Sequence, residues 1–584
     1  MAFNKISNII SIAKEVGVLV VLFLMMWINL FYMHYEVYIS NYGAESLSKA
    51  LLFCTFDVLV PLVFFYLITL GKRKLAFTLT NCFLMLFVLV NIVYSRFFGK
   101  YFSFDVINET SNLSGTWWLS YITEMFRWSD VLLVVTTSIF CLCIKHLKQG
   151  KFAKDCLAIL CLLPLTAFVI LFLPSTRERM GSMSSLHSIG ETLTGVFGMG
   201  KELTDPFSHA QEQTIFKNGI LRGQLYCNLT NLLNEGNYTL SEQDRQEIAQ
   251  YIKQQNEELG TIKDSCVAET TPNIVFILVE SYISEASKIK IGNKDVTPNI
   301  NKLMKQEGVY SNLEMASQRG IGESSDAQIS YFTGLIPLQS ELSILYILKD
   351  SIVGLPHLLH DQKGYNTYIT LPTPSYFWHQ DEVNKKYGID NVIDCVNDDS
   401  WCNDEELFAK LAKQSLRQPY FNLILTVSMH GSYGDDFLKS VNMKSPFDYP
   451  SNFSKEFCYY LDRCYYTDIQ IGKYLNHLKQ NGTYDNSIII ITSDHQTKAN
   501  SLNMDVNDTD LPLIIANSGV SVEYYASGNI NQIDMYPTIL DLMDLKSTWR
   551  GFGHSLLRGN YTSTIEPSTF EISDKMLRGN YFKQ

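Results

Sequence analysis

The sequence predicts a two-part protein, with about five transmembrane helices followed by an α/β domain that has a largely parallel sheet. Three observations lead to this prediction. Long apolar runs occupy the first 174 of the 584 residues, strand-like runs alternate with helical patterns after residue 272, and a mixed stretch separates the two parts. A membrane-spanning helix needs about 20 apolar residues, and alternation of strands with helices is typical of an α/β fold.

The composition excludes several classes of protein. Lys and Arg total 47 against 59 Asp and Glu, the formal net charge is −12, and only 18% of residues are charged. An ordinary soluble chain has about 25% charged residues. These values exclude a disordered chain, a collagen-like fibre and a simple soluble enzyme. The acidic balance, without any basic run, argues against nucleic acid as the main partner.

The apolar runs predict a multi-pass membrane domain over residues 1–174. They cover roughly residues 16–33, 51–70, 76–94, 131–144 and 155–174. The fourth run is shorter than the usual limit of about 17 residues and needs its flanking residues to span a bilayer. The first run is not a cleavable signal peptide, because no small-residue cleavage site closes it and further spans follow.

The distribution of Lys and Arg predicts the orientation of these spans. Basic residues are concentrated before the first run, between the second and third, and between the fourth and fifth. Because cytoplasmic loops carry this excess, we expect a cytoplasmic N-terminus and an extracytoplasmic location for everything after residue 175. The tryptophan-rich segment 115–128 is expected to form an interfacial helix on the outer face.

One acidic residue, Asp57, falls within the second run. An intramembrane acid is a functional-site hypothesis by default, and it raises transport as an alternative function. A large outer domain fits that alternative poorly. The other interpretation is an acid that faces the helix bundle and bonds to a neighbour such as Asn29 or Asn91.

Six of the twelve cysteines lie in the outer half, where an oxidising compartment permits disulfides. Cys395 and Cys402 are close enough in sequence to close a small loop, and we expect this pair first. No cysteine has the spacing of a zinc site.

The outer half divides into a helical connector over residues 175–271 and an α/β domain over residues 272–584. Ser241-x-x-Asp244 is a helix-start signal ahead of an amphipathic run that extends to about residue 259. The predicted strands are 273–279, 367–370, 422–427, 487–492 and 513–516, and the predicted helices are 298–307, 324–334 and 453–480.

Chemically reactive side chains follow these strands. Glu280 comes directly after the first strand, Asp494 and His495 follow strand 487–492, and His430 follows strand 422–427. The segment 320–326 adds glycines and hydroxyls at a helix start, a position that favours anions such as phosphate. Any one of these could be an ordinary surface charge or helix cap. Together at the carboxyl edge of a parallel sheet, they predict a divalent-metal site with an activated hydroxyl.

The sequence resembles the lipoteichoic acid synthase and phosphoglycerol transferase family. Its members are membrane-anchored, sulfatase-like enzymes of the alkaline phosphatase superfamily. The resemblance rests on the site residues above, on the segments 297–303, 532–540 and 551–557, and on the layout of spans followed by an outer domain. It covers essentially the whole chain. It implies that the outer domain has the sulfatase-like fold and is catalytic.

The resemblance also implies roles for individual residues. Glu280, Asp494 and His495 match metal ligands, and Ser324 matches the nucleophile, which also contacts the metal. We expect one divalent ion, with Mn²⁺ favoured and Zn²⁺ or Mg²⁺ as alternatives. The segment 324–328 lacks the Pro and Arg of the sulfatase motif, which disfavours sulfate ester hydrolysis.

The headgroup pocket departs from the family pattern. His430 matches a His that contacts the substrate phosphate and protonates a leaving group, and Trp378 matches a Trp that lines the pocket. The family has Arg where this chain has Gln380. The family also has a phosphate-contacting His at about the position of Leu371. Arg binds phosphate in a bidentate manner that Gln cannot reproduce, although the neighbouring His379 is a candidate substitute.

The implied function is phosphoglycerol transfer from a membrane phospholipid, with phosphatidylglycerol favoured, through a Ser324 ester to a cell-envelope glycan or glycolipid. Phosphoethanolamine transfer from phosphatidylethanolamine is an alternative. A catalytically silent membrane sensor or assembly partner is an alternative of another class, but it predicts loss of a metal ligand or the nucleophile, and none is lost. The expected location is the bacterial inner membrane, as a multi-pass protein with an extracytoplasmic catalytic domain.

Overall fold

The computed structural model describes residues 2–39, 47–98, 102, 126–150, 220–225, 238–263, 266–268, 270–339, 341–396, 401–431, 433–497 and 501–583. The chain divides into two compact units. The first comprises Met1–Ser103 and Ser120–Glu235, and the second comprises Phe104–Leu119 and Gly236–Gln584. The finer division of the chain at residues 174 and 271 stays a prediction.

The first unit is a bundle of apolar helices. They are α1 (Ala2–Met33), which continues as a π-helical segment (His34–Ile39), α2 (Leu47–Ile68), α3 (Arg73–Phe98) and α4 (Val131–Cys143). Within the described residues, three segments are long and apolar enough to span a membrane, namely Ala13–Val37, Arg73–Arg96 and Trp128–His146. These segments anchor the chain in the membrane.

The expected count of five spans is therefore not exact. The second predicted run lies in α2, of which only the stretch Phe53–Ile68 counts as a shorter apolar helix among the described residues. The short fourth run is completed by flanking residues, as expected. The fifth run, 155–174, lies outside the described residues. So does most of the predicted interfacial segment 115–128, of which only the last three residues are described.

The acid inside the bundle is fully buried, as the bundle-facing interpretation predicts. Asp57 Oδ1 accepts a hydrogen bond from Arg222 Nε at 3.2 Å. The predicted asparagine partners are wrong, because Asn29 bonds to Met85 and Thr136, and Asn91 bonds to Gln224. An arginine partner accounts for the burial of this carboxylate, since a buried charge needs a compensating group.

The second unit is built on an eight-stranded sheet in the order β10-β4-β9-β8-β1-β7-β5-β6, with a separate β2-β3 hairpin. Its strands are β1 (Asn273–Val279), β2 (Lys290–Ile291), β3 (Lys294–Asp295), β4 (Tyr310–Ala316), β5 (Asn366–Leu371), β6 (Asn391–Asp394), β7 (Tyr420–Leu425), β8 (Ser487–Ser493), β9 (Asp510–Ala516) and β10 (Ile530–Asn531). β9 runs antiparallel to β4 and β8, and the other pairings in this sheet are parallel. The prediction of an α/β domain with a largely parallel sheet is confirmed.

Helices surround this sheet. They are α5 (Glu242–Glu257), α6 (Ser284–Lys288), α7 (Pro298–Met304), α8 (Ser324–Thr333), α9 (Ser343–Ile347), α10 (Leu355–Lys363), α11 (Gln380–Tyr387), α12 (Asp404–Leu411), α13 (Asp436–Ser440), α14 (Lys455–Gln480), α15 (Met535–Leu542) and α16 (Pro567–Arg578). The predicted start of α5 is confirmed, because Ser241 Oγ accepts from the backbone of Asp244, whose carboxylate accepts from the backbone of Ser241.

The central strand β1 explains why the sheet holds its register. All seven of its residues are buried, and alternate side chains enter different cores. Ile274, Phe276 and Leu278 belong to one core, while Val275 and Ile277 belong to the other. Because side chains alternate across a strand, a one-residue slip would exchange these two sets. The residue after each central strand is therefore placed with precision.

Candidate active site

The ends of β1 and β8 bring two carboxylates together. Val279 and Ser493 are partners in the parallel ladder, so Glu280 and Asp494, which follow them, leave the sheet side by side. Both side chains are buried. The backbone N–H of Ser281 donates to Asp494 Oδ1 at 2.8 Å, which fixes one carboxylate against the other strand.

His495 completes a cluster of three potential ligands. Its Nε2 lies 3.6 Å from Glu280 Oε1 and 3.5 Å from Asp494 Oδ2. One ligand atom from each of the three residues lies within 4.8 Å of the others. Two buried carboxylates this close repel each other unless a cation compensates them. Nitrogen and oxygen donors suit a divalent transition metal, so the residues present fit the ion that the sequence predicts.

Ser324 is the first residue of α8, and its hydroxyl contacts all three members of the cluster. Oγ donates to Asp494 Oδ2 at 2.7 Å and lies 3.4 Å from both Glu280 Oε2 and His495 Nε2. The helix N-terminus adds backbone N–H groups and a partial positive charge, which favour an anion here. The structure thus assembles all four residues that the sequence assigns to metal and nucleophile.

The turn before α8 holds the hydroxyl in place. Asp326 Oδ2 accepts from two backbone N–H groups in the 320–322 turn, at 2.8 and 2.9 Å. Glu323 has a φ of 48°, in the left-handed region, and its Oε2 lies 3.6 Å from His495 Nδ1. Arg319 forms an ion pair with the same carboxylate oxygen. Sequence reasoning missed Glu323 and Arg319, although their positions beside the glycine turn are a usable signal.

His430 lies in the loop that follows β7, at the same edge of the sheet. The hydroxyl of Thr426, at the start of this loop, accepts from the backbone N–H of Glu280 at 3.1 Å. The imidazole Nδ1 of His430 lies 2.6 Å from the Gly431 carbonyl oxygen, and Arg463 donates to the His430 carbonyl. The loop is therefore tied to the metal-site edge by one contact and to α14 by another.

The predicted headgroup residues lie between β5 and α11. Trp378 and His379 are half-buried, and their φ angles are 52° and 51°. Gln380 begins α11, is buried, and has an Oε1 with no hydrogen-bond partner in the described part of the chain. Leu371, at the end of β5, is fully buried. Consecutive left-handed residues that are not glycine carry a strain that folded proteins tend to reserve for functional segments.

The predicted disulfide is confirmed, since Cys395 and Cys402 are bonded. The loop that it closes ends beside Trp401, whose ring lies 5.6 Å from that of His430, centroid to centroid. Sequence reasoning missed Trp401, although its position next to a cysteine expected to be bridged is a usable signal.

Known protein families and curated relatives were compared with this chain. Two family models match, "Lipoteichoic acid synthase N-terminal domain" over residues 2–185 and "Sulfatase" over residues 272–545. A lipoteichoic acid synthase of Staphylococcus saprophyticus is 24% identical over 578 residues, covering 91% of this chain and 83% of the relative. Lipoteichoic acid synthase 1 of Bacillus subtilis is 23% identical over 564 residues, covering 90% and 82%.

Among solved structures, a lipoteichoic acid synthase from Listeria monocytogenes is similar over 57% of this chain and 97% of that chain, with 17% identity and a TM-score of 0.45.

Proposed function

Because the chain belongs to the lipoteichoic acid synthase and phosphoglycerol transferase family of sulfatase-like membrane enzymes, we propose that it is a metal-dependent phosphoglycerol transferase. It moves phosphoglycerol from phosphatidylglycerol to a cell-envelope glycan or glycolipid. The observation that carries this proposal is the position of the Ser324 hydroxyl, within 3.4 Å of Glu280, Asp494 and His495. A hydroxyl in that position suits nucleophilic catalysis.

One divalent cation, proposed to be Mn²⁺ with Zn²⁺ and Mg²⁺ as alternatives, would be held by Glu280, Ser324, Asp494 and His495. When bound, it would favour the ionised form of the Ser324 hydroxyl and neutralise charge on the phosphoryl oxygens. The protein itself buries the two carboxylates and the imidazole together at the ends of β1 and β8.

The transfer takes place in two steps. In the first, Ser324 Oγ attacks the donor phosphorus; the Oγ–P bond forms, and the bond from phosphorus to the diacylglycerol oxygen breaks. The Ser324 proton leaves to solvent, and His430 donates a proton to the diacylglycerol oxygen. In the second, an acceptor hydroxyl attacks the same phosphorus, the Oγ–P bond breaks, and His430 takes the acceptor proton. A solvent proton returns to Ser324.

The donor headgroup is the finer part of the proposal. Gln380 offers a neutral amide where the family has a guanidinium, and Leu371 offers no polar atom where the family has an imidazole. Trp378 and His379 remain next to the predicted pocket, and the nucleophile context is that of the phosphoglycerol branch. Phosphatidylethanolamine is therefore the second candidate donor, because loss of the phosphate-binding Arg and His favours no particular headgroup.

The membrane helices supply a physical rationale for a lipid donor. We propose that the second unit lies outside the cytoplasm, where a tethered site meets outer-leaflet lipid at high effective concentration. A catalytically silent role is disfavoured, because the whole set of ligands and nucleophile is assembled.

The test is to trap the covalent intermediate. The full-length protein with Mn²⁺ is incubated separately with headgroup-labelled phosphatidylglycerol and phosphatidylethanolamine, without acceptor, and its intact mass is measured. We expect a phosphoglycerol adduct that Ser324→Ala removes and Ser330→Ala, a serine substitution on the same helix, retains. A phosphoethanolamine adduct instead would show that phosphatidylglycerol is the wrong donor, while supporting the mechanism through a Ser324 ester. No adduct with either lipid and any of the three metals would overturn the proposed function.

A further inference from the structure

A row of aromatic rings leads to His430. The ring of Trp378 lies 5.9 Å from that of Phe377, Phe377 lies 5.1 Å from Trp401, and Trp401 lies 5.6 Å from the His430 imidazole, all between ring centroids. The planes meet at 74°, 74° and 88°, which is the favoured edge-to-face arrangement. All four side chains are half-buried. The row therefore connects the predicted headgroup wall to the imidazole, and Trp401 is the link in contact with it.

The disulfide anchors Trp401 from one side. Cys402, its immediate neighbour, is bonded to Cys395. The backbone N–H of Cys402 donates to the Pro372 carbonyl at 3.0 Å, and that of Cys395 donates to the Leu371 carbonyl at 3.3 Å. Both halves of the bridge are thus attached to the chain at the end of β5. A short covalent loop of this kind restricts the freedom of the residues beside it.

A buried carboxylate anchors the same segment from the other side. Asp404 Oδ1 accepts from the backbone N–H groups of Val427 and Ser428, at 2.9 and 3.1 Å. In return, the backbone N–H of Asp404 donates to Ser428 Oγ at 2.9 Å. This clamp joins the start of α12 to the loop that carries His430. Trp401 and His430 are therefore held in one rigid assembly, although they lie on separate segments of the chain.

We propose that Trp401 is a positioning residue for His430, and that the Cys395–Cys402 disulfide keeps it in place. The inference rests on the proposed function, in which His430 exchanges protons with the leaving diacylglycerol and with the acceptor. The edge-to-face contact with Trp401 restricts rotation of the imidazole about its side-chain bonds. Proton transfer needs heavy atoms within about 2.6–3.2 Å, and a displacement of about 1 Å can cost a factor of about 100 in rate.

A second consequence is redox sensitivity. Reduction of Cys395–Cys402 releases one anchor of Trp401 and leaves untouched the proposed metal ligands that follow β1 and β8. The enzyme with an intact bridge, formed in an oxidising compartment, is then the fully active form.

The test compares two donors that differ in their need for an acid. Phosphatidylglycerol has an alkoxide leaving group, which must be protonated, whereas p-nitrophenyl phosphoglycerol releases a stable phenolate. We expect Trp401→Leu and the double variant Cys395→Ser/Cys402→Ser to lower kcat for the lipid about tenfold or more, and kcat for the nitrophenyl ester less than about threefold. Trp401→Phe, which keeps a ring, should recover most of the lipid activity.

Three controls make this result specific. His430→Gln should show the same donor dependence with a larger effect. Cys458→Ser, which alters a cysteine free of disulfides, should behave as the unsubstituted enzyme, with or without reductant. Metal content and thermal stability should stay close to the unsubstituted values in the Trp401 variants. Equal losses with both donors, or loss of metal, would show a merely structural role, and unchanged lipid kinetics would also overturn the proposal.

Failure of the proposed function gives a different pattern. If the unsubstituted enzyme transfers nothing from phosphatidylglycerol, the function is wrong whatever Trp401 does. Hydrogen–deuterium exchange of the 427–431 segment then decides the positioning role. We expect faster exchange in Trp401→Leu and in the reduced enzyme than in Cys458→Ser. Equal exchange in all of them would refute the role of Trp401.

Discussion

Two regions of the candidate site are built in different ways. The metal-ligand region consists of buried side chains that directly follow β1 and β8, and the ladder between these strands sets their spacing. The headgroup region consists of half-buried rings on loops, fixed by a disulfide and a carboxylate clamp. The sheet therefore sets the positions of the reactive groups, while the loops set the shape of the predicted headgroup pocket. Variants in the first region should therefore abolish reaction, and those in the second should tune it.

Backbone strain is shared by the two regions. Ser281, Glu323, Trp378 and His379 all have φ angles between 48° and 52°. Each left-handed residue that is not glycine costs about 1–3 kcal/mol, and that cost is met where neighbouring contacts over-determine the conformation. Ser281 and Glu323 contact the ligand cluster. Trp378 and His379 directly precede the first residue of α11.

The largest effect is expected in the metal-ligand region. Asp494→Asn removes a charge that contacts Ser324, His495 and the Ser281 backbone, so we expect metal loss and at least a 1,000-fold fall in transfer, within the range attributed to catalytic metals and nucleophiles. Elemental analysis measures the bound metal, and the adduct assay measures the first step of the transfer. The exposed Asp505→Asn is the matched control, and retention of both metal and activity by Asp494→Asn would contradict the assignment.

Removal of the metal should nearly match that effect and be reversible. Dialysis against EDTA should abolish adduct formation, and Mn²⁺ should restore it better than Zn²⁺ or Mg²⁺. Binding also stabilises the folded state, by about 2.7 kcal/mol when free metal is 100 times its dissociation constant. Calorimetry should therefore show a higher melting temperature with metal. An unchanged melting temperature and full activity in EDTA would exclude a metal at this cluster.

An intermediate effect is expected where a neighbouring side chain orients a ligand. Glu323→Gln weakens the contacts with His495 and Arg319, and outer partners of metal ligands are typically worth about 10–100-fold in affinity or activity. We expect weaker Mn²⁺ binding and a lower kcat, with the KM for lipid little changed. Exposed Glu314→Gln serves as the control. A change in KM alone would assign Glu323 to substrate contact instead.

The smallest effect separates two interpretations of Gln380 in the headgroup region. If its buried amide contacts the donor, Gln380→Met should raise the KM for the lipid about threefold without changing kcat. If it only packs, removing an amide oxygen that has no hydrogen-bond partner among the described residues should leave KM unchanged and raise the melting temperature, because an unsatisfied buried polar group costs about 1–3 kcal/mol. Lipid titrations and thermal unfolding of the same preparation distinguish these results.

Much of the fold was predictable from local patterns. Strand 273–279 has the same bounds as β1, and helix 453–480 matches α14 to within two residues at its start. Both are long or strongly apolar, so periodicity identifies them. The strands β2, β3, β4, β6 and β10 were missed. Four of them have only two to four residues, and β4 interrupts its buried positions with exposed polar ones, so none carries a continuous apolar run. The span count was not exact, since three described segments are long and apolar enough to span a membrane and the fifth predicted run lies outside the described residues.

The sequence by itself determined the reactive groups of this protein. Glu280, Asp494 and His495 follow apolar strands directly, so their meeting at one edge follows from parallel pairing. Tertiary structure alone decided which partners surround them. The Arg222 partner of Asp57, the Glu323 contact with His495 and the approach of Trp401 to His430 join distant or differently oriented segments, and local periodicity carries no information about such contacts. These contacts depend on tertiary structure, because only the folded chain brings those segments within reach.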